Sequence, residues 1–201
     1  YQGALVAARR RLAAVIAAAR AAGDLTSLSA ATTFLGEVAL ELGDTALAEQ
    51  ALREAIPIGD RGLGWGSVLP RCLLVAVLAQ RGHVAEATDL LAAATQAAEG
   101  ATDYYALEAL ALAEARLAAA AGQPAAAAAA YSTAAAIESR LGLRWYRART
   151  LAEWATCVTP PATVTADRLR TAALDLFTAI GVPYYAAQVQ RSLATPATPV
   201  P

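Results

Sequence analysis

The chain has 201 residues, 57% of them hydrophobic, with 16 basic against 17 acidic side chains and a net charge of -1. That balance excludes the strong positive field a polyanion would need, so nucleic acid is not an expected partner and no basic tail is present. Every basic residue is Arg; the absence of Lys removes a phosphate-loop lysine and a Schiff-base amine from the available chemistry.

The absence of Asn and Met beside abundant Ala reads as codon bias of a GC-rich genome. Opening inside a helical pattern at Tyr1, with no initiating Met, the chain reads as a fragment of a longer protein. Cys72 and Cys157 have neither a metal-ligand spacing nor a disulfide-framework pattern, which predicts free thiols and a reducing cytoplasm. The longest apolar stretch, 117–136, is broken by Gly122-Gln123-Pro124, and 72–79 is too short to span a bilayer. Arg9-Arg10-Arg11 interrupts any signal-peptide core, so a soluble chain with no membrane partner is expected.

In chain order, residues 1–22 read as a helix with Leu5, Leu12, Val15 and Ile16 on one face, ended by Gly23. The next helix is predicted to start near Leu25 with Thr26 or Ser27 as N-cap and to bury Leu28, Ala31, Leu35, Val38 and Leu42. Gly43-Asp44 turns the chain into a second helix with Ala48, Leu52 and Ala55, capped by Asp44 or Thr45 and truncated by Pro57. Gly62, Gly64 and Gly66 lie between helices, not after a strand, which favours a flexible turn over a phosphate cradle.

A second helix pair follows, with Leu69, Leu73, Leu74, Val77 and Leu78, then Ala87, Leu90, Leu91 and Ala94; Pro70 fits only within the first turn. His83, the single histidine, sits in the turn with no partner pattern for catalysis. A third pair, capped by Thr102 or Asp103, has Pro124 opening six consecutive alanines, which predicts high helix propensity and tight packing. The fourth runs from Arg144 to about Cys157, then through Pro160-Pro161 to a helix starting near Thr165 and ending at Gly181. A last helix at 184–193 precedes a Pro- and Thr-containing tail or linker, 194–201.

Trp65, Tyr105, Trp145 and Tyr185 recur at one step, as do Leu35-Gly36, Leu74-Val75, Leu112-Ala113 and Leu151-Ala152. A period of about 40 residues, each unit a helix pair unable to bury its own apolar faces, marks a stacked array. The residues Leu35-Gly36, Gly43, Ala48, Leu52 and Ala55 resemble the tetratricopeptide repeat family, and Leu74, Gly82, Ala87, Leu91 and Ala94 follow at the same spacing. Leu112-Ala113, Gly122, Ala127, Tyr131 and Ala134 follow too, with two extra residues before the glycine; the fourth unit keeps Leu151-Ala152, Ala173 and Phe177 without the turn glycine. The long period is similar to the arrays of bacterial ATP-dependent regulators of the maltose-regulator and LuxR type and of some nucleotide cyclases.

The resemblance implies an all-α, right-handed superhelical solenoid of antiparallel helix pairs, about four repeats of about 38–40 residues. It forms a single domain over 1–193: a partial repeat 1–23, repeats 25–62, 63–100, 102–142 and 143–181, and a trailing helix 184–193. It also implies a concave groove lined by first helices, facing which are Glu37, Ala76, Glu114 and Glu153, with Thr33, Cys72, Leu110 and Arg149 one turn away. Glu37, Glu114, Tyr146, Arg149 and Glu153 are thus the candidate ligand-binding residues, with Arg149 and Glu153 an i,i+4 pair. The alternative is that these glutamates are merely solvated.

No catalytic residue, metal ligand or cofactor is expected, because nucleophile, metal and lid signals are missing. The expected role is a protein- or ligand-binding scaffold, the sensor or interaction module of a larger bacterial signalling or transcription-regulating protein. Its partner would be a protein, a peptide or a small effector. The alternatives are a structural module that self-associates as a homo-oligomer through its terminal helices, or a free-standing all-α enzyme. Arg144-Trp145-Tyr146-Arg147-Ala148-Arg149 also has the look of a stacking platform for single-stranded nucleic acid, but Trp145 already falls on the recurrent aromatic position.

Overall fold

A computed structural model describes residues 2–61, 66–99, 104–158 and 163–194. Among them are ten helices and no strand, so the chain is all-α. They are α1 (Gln2–Ala22), α2 (Leu25–Glu41), α3 (Thr45–Gly59), α4 (Val68–Gln80), α5 (Val84–Ala97), α6 (Tyr104–Ala120), α7 (Pro124–Leu141), α8 (Arg144–Cys157), α9 (Thr163–Ala179) and α10 (Pro183–Ala194). None of these helices is long and apolar enough to cross a membrane. Trp65, the glycines at 62 and 64, the caps proposed at 102 and 103, Pro160-Pro161 and the tail from 195 lie outside the described residues.

One turn recurs between helices. After α2 the Asp44 amide donates to the Ala39 carbonyl at 2.9 Å, and after α4 the His83 amide donates to Leu78 at 2.9 Å. The amides of Asp24, Leu143 and Val182 do the same to Ala19, Glu138 and Phe177. In each case a glycine precedes the donor with φ between 67 and 78°. This is the left-handed C-terminal cap, which closes orphan carbonyls and which only glycine enters without a Cβ penalty.

The chain divides into two compact units, residues 1–121 and 122–201, and the boundary falls inside the stretch 102–142 read from sequence as one repeat. In the first unit α2 packs on α1, α3 and α4, while α4 also packs on α3, α5 and α6. Ile16, Ala19, Leu28, Ala31 and Ile58 form one core at the α1 end. A larger core gathers Ala39, Leu52, Leu74, Val77, Leu78, Ala87, Ala109 and Leu117 around α4. In the second unit α8 packs on α7 and α9, and α9 on α10, around Leu151, Phe177 and Val189.

Several expectations are corrected. Val15 is 46% exposed; Leu12, Ile16 and Ala19, at i, i+4 and i+7, carry the buried stripe of α1 instead. Asp24, not Thr26 or Ser27, caps α2, its carboxylate accepting from the Ser27 amide at 3.0 Å. On α2 Leu28 and Ala31 are buried as expected, but Ser29, Thr32, Thr33, Gly36 and Ala39 are buried with them, while Leu35, Val38 and Leu42 are only half-buried. The hydroxyls reach the interior because Thr32 and Thr33 donate to Leu28 and Ser29 carbonyls of their own helix, at 2.7 and 2.8 Å. Pro57 does not truncate α3 but lies in its last turn, where the bond it forfeits is near the helix end anyway. α9 begins at Thr163. Of the six alanines 125–130 only Ala127 is buried, so the run supplies helix propensity more than packing. Tyr105, on the recurrent aromatic position, is 55% exposed.

The alanines that carry the family resemblance, Ala48, Ala87 and Ala173 at 0% exposure and Ala127 at 1%, are buried. Gly36 makes the tightest crossing, since a Cβ there would lie 2.5 Å from Leu52 Cγ on α3.

Candidate functional site

The candidate residues fall in both units. Glu37 on α2 and Glu114 on α6 belong to the first, and Tyr146, Arg149 and Glu153 on α8 belong to the second. In the first unit α2 packs on α4 and α4 on α6, so that these three helices lie in sequence side by side. Glu114 is exposed and Glu37 half-buried. Ala76, expected to face the groove, is buried at 6% exposure, because α4 is enclosed by its neighbours on all sides.

Where α4 meets α6, burial pushes the Cys72 thiol up to about 12, and the Glu108 and Glu114 carboxylates push in the same direction while Arg116 opposes them. Glu108 itself is buried at 7% exposure. A thiolate at Cys72 would therefore enter a site already negative and dry, so this cysteine is not a nucleophile near neutral pH. Thr33 and Leu110 are likewise buried, whereas Tyr104, Tyr105 and Leu107 in the first two turns of α6 are exposed.

In the second unit Glu153 is engaged inside the fold. The Tyr131 hydroxyl of α7 donates to its Oε1 at 3.0 Å, and the Tyr131 ring stacks on Trp154 with centroids 6.4 Å apart. Two turns further along α7, the fully buried Glu138 accepts from Thr150 Oγ1 of α8 at 2.7 Å. Two cross-helix bonds to carboxyl groups thus fix α7 against α8. Trp145 meets Phe177 and Tyr185 edge-on, with centroids 5.6 and 4.7 Å away, and the Arg149 guanidinium lies 6.0 Å from the Trp145 ring centre. Tyr146 is 37% exposed. Trp145, half-buried, thus packs between α9 and α10 of its own unit.

Sequence reasoning missed Glu108 and Glu138. The signal was present for Glu138, which continues the buried series Ala127, Tyr131, Ala134 at helical spacing and so occupies an interior position. His83 stands exposed at the start of α5 with no side-chain capping bond. Among the described residues, no group of three or more His, Cys, Asp or Glu is placed to hold a metal ion. No protein-family model matches the chain, and no curated protein matches it.

Proposed function

We propose that the chain is a binding scaffold of tetratricopeptide type, acting by recognition and not by catalysis. In this reading it is the interaction or sensor module of a larger bacterial signalling or transcription-regulating protein. The observation that carries the proposal is the succession of α2, α4 and α6, in which Glu37 and Glu114 lie on the two helices that flank the well-packed α4. A pre-formed surface loses little ordering entropy on binding, which suits it to an extended peptide or protein segment, or to a small effector. The recurrent glycine turn and the buried alanines at the helix crossings support the repeat reading. The partner's chemistry follows from the carboxylates: basic residues spaced along an extended segment.

Selection from a displayed library of random peptides tests this directly. Enriched sequences should carry Arg or Lys, and the variant Glu37→Ala with Glu114→Ala should bind them at least about tenfold more weakly, or 1.4 kcal/mol, with its helical circular dichroism unchanged. Equal affinity in the double variant would move recognition off these helices.

A further inference from the structure

The two units carry opposite surpluses of charge. Residues 1–121 hold 9 Arg against 13 Asp and Glu, whereas residues 122–201 hold 7 Arg against 4. The second unit also ties up three of its four carboxyls: Glu138 is bonded by Thr150, Glu153 by Tyr131, and Asp167 pairs with Arg170 at 3.0 Å. Its surface is therefore predominantly cationic. At the start of α8 two of these cations stand one turn apart on one side of the helix, Arg144 exposed and Arg147 half-buried with its Nε enclosed. Arg140 and Arg149 nearby have contacts of their own, but the side chains of Arg144 and Arg147 have neither a hydrogen bond nor an ion pair among the described residues. Arg10, Arg11, Arg61 and Arg168 share that lack and are exposed, so water hydrates them. Among the described arginines, Arg147 is the one that has lost water without gaining any acceptor.

We propose that Arg144 and Arg147 form an anion site that takes a phosphoryl group, with the half-buried Arg147 as its fixed member and the exposed Arg144 as its adaptable one. An enclosed guanidinium donor without an acceptor is costly, and such a group is completed by an ion or ligand. Thr150 and Trp154, three and seven residues on, both contact α7, which puts Arg147 on the side of α8 that α7 covers. The α7 carboxyl on that side, Glu138, bonds Thr150 and makes no ion pair with Arg147. Nor does α8 answer the charge itself, since its first turn holds no acidic residue. Two guanidinium groups are matched by a group that carries nearly two negative charges and three acceptor oxygens, whereas one carboxylate answers only one of them. The same chemistry reads a small phosphorylated effector or a phosphorylated peptide. The proposal is independent of whatever α2, α4 and α6 bind.

Nitrogen-15 labelling at arginine Nε reads the site directly, because each guanidinium gives its own Nε–H signal, assigned by Arg→Gln substitution. Inorganic phosphate, a phosphoserine tripeptide and succinate are titrated separately, with ionic strength held constant by sodium chloride so that general screening drops out. The site predicts saturable shifts of the Arg147 and Arg144 signals with phosphate and none at Arg10, Arg11 or Arg61. Arg144→Gln should weaken the Arg147 response at least about tenfold, and Arg147→Lys, which keeps the charge but loses the planar fork, should weaken the Arg144 response. Tighter binding of the tripeptide than of phosphate assigns the phosphoryl group to a peptide; equal or weaker binding assigns it to a small effector. Shifts that do not saturate, or that are equal at Arg10 and Arg61, mean an adventitious ion only and overturn the proposal. Succinate binding as tightly as phosphate overturns it as well. So does an unchanged Arg147 response in Arg144→Gln, a substitution at an exposed position, even if the Arg147 variant fails to fold.

Discussion

At Gly36 the helix α2 comes so close to α3 that a single methyl group has nowhere to go. Gly36→Ala should cost roughly 1–3 kcal/mol by overpacking against Leu52, even though alanine is the better helix former. Urea melts should show the loss, and Gly36→Ala combined with Leu52→Ala should lose less than the two single variants together, because the new methyl enters the space that the shorter side chain vacates. Cys72 supplies a second residue-scale expectation. Its folded thiol titrates near 12 against an ordinary value of 9.0, so folding favours the protonated form. The contribution is constant below the unfolded value and is lost as pH rises from about 9 towards 12. Cys72→Ala should flatten that alkaline decline relative to the parent. A disulfide reagent at pH 8 should titrate Cys157, which is half-buried, and reach Cys72 only in denaturant.

At the scale of elements, the boundaries were legible wherever glycine, proline or aspartate marks them, as at Gly43-Asp44, Gly122-Gln123-Pro124 and Gly181. The cap of α2 was misplaced because three residues within four positions, Asp24, Thr26 and Ser27, belong to the capping class, and backbone geometry alone decides among them. That cap has a pH signature. The Ser27 hydroxyl and amide hold the Asp24 carboxyl below its ordinary 3.8, so its contribution is present above that value and disappears as pH falls through the lower folded one. Asp24→Ala should therefore unfold at a pH nearer neutrality than the parent and exchange the α2 amides faster at pH 6. The buried hydroxyls of α2 were not legible, because a threonine that bonds its own helix carbonyl is interior without looking apolar. For the candidate site, the family resemblance named Glu37 and Glu114, and these lie half-buried on α2 and exposed on α6. It could not show that Glu153 is taken by Tyr131, since that contact joins two different helices and depends on their packing.

For the whole molecule, the helix with the most to say is α4. From Leu74 to Ala79 no residue exceeds 6% exposure, and the segment carries no charge. Such a helix cannot be stable until its neighbours exist, and Leu74-Val75-Ala76-Val77-Leu78 is rich in residues that also favour strands. On the ribosome α4 is complete about forty residues before α6, which at roughly 5–20 residues per second leaves it about 2–8 s without that cover. The nascent chain thus passes through an interval in which a short apolar segment of aggregation-prone type awaits its last wall. A chain ending at Glu99 should accumulate in the insoluble fraction, whereas one ending at Ala121, which includes α6, should stay in solution with helical circular dichroism. A holdase chaperone added during cell-free synthesis should rescue the shorter product and leave the yield of the longer one unchanged.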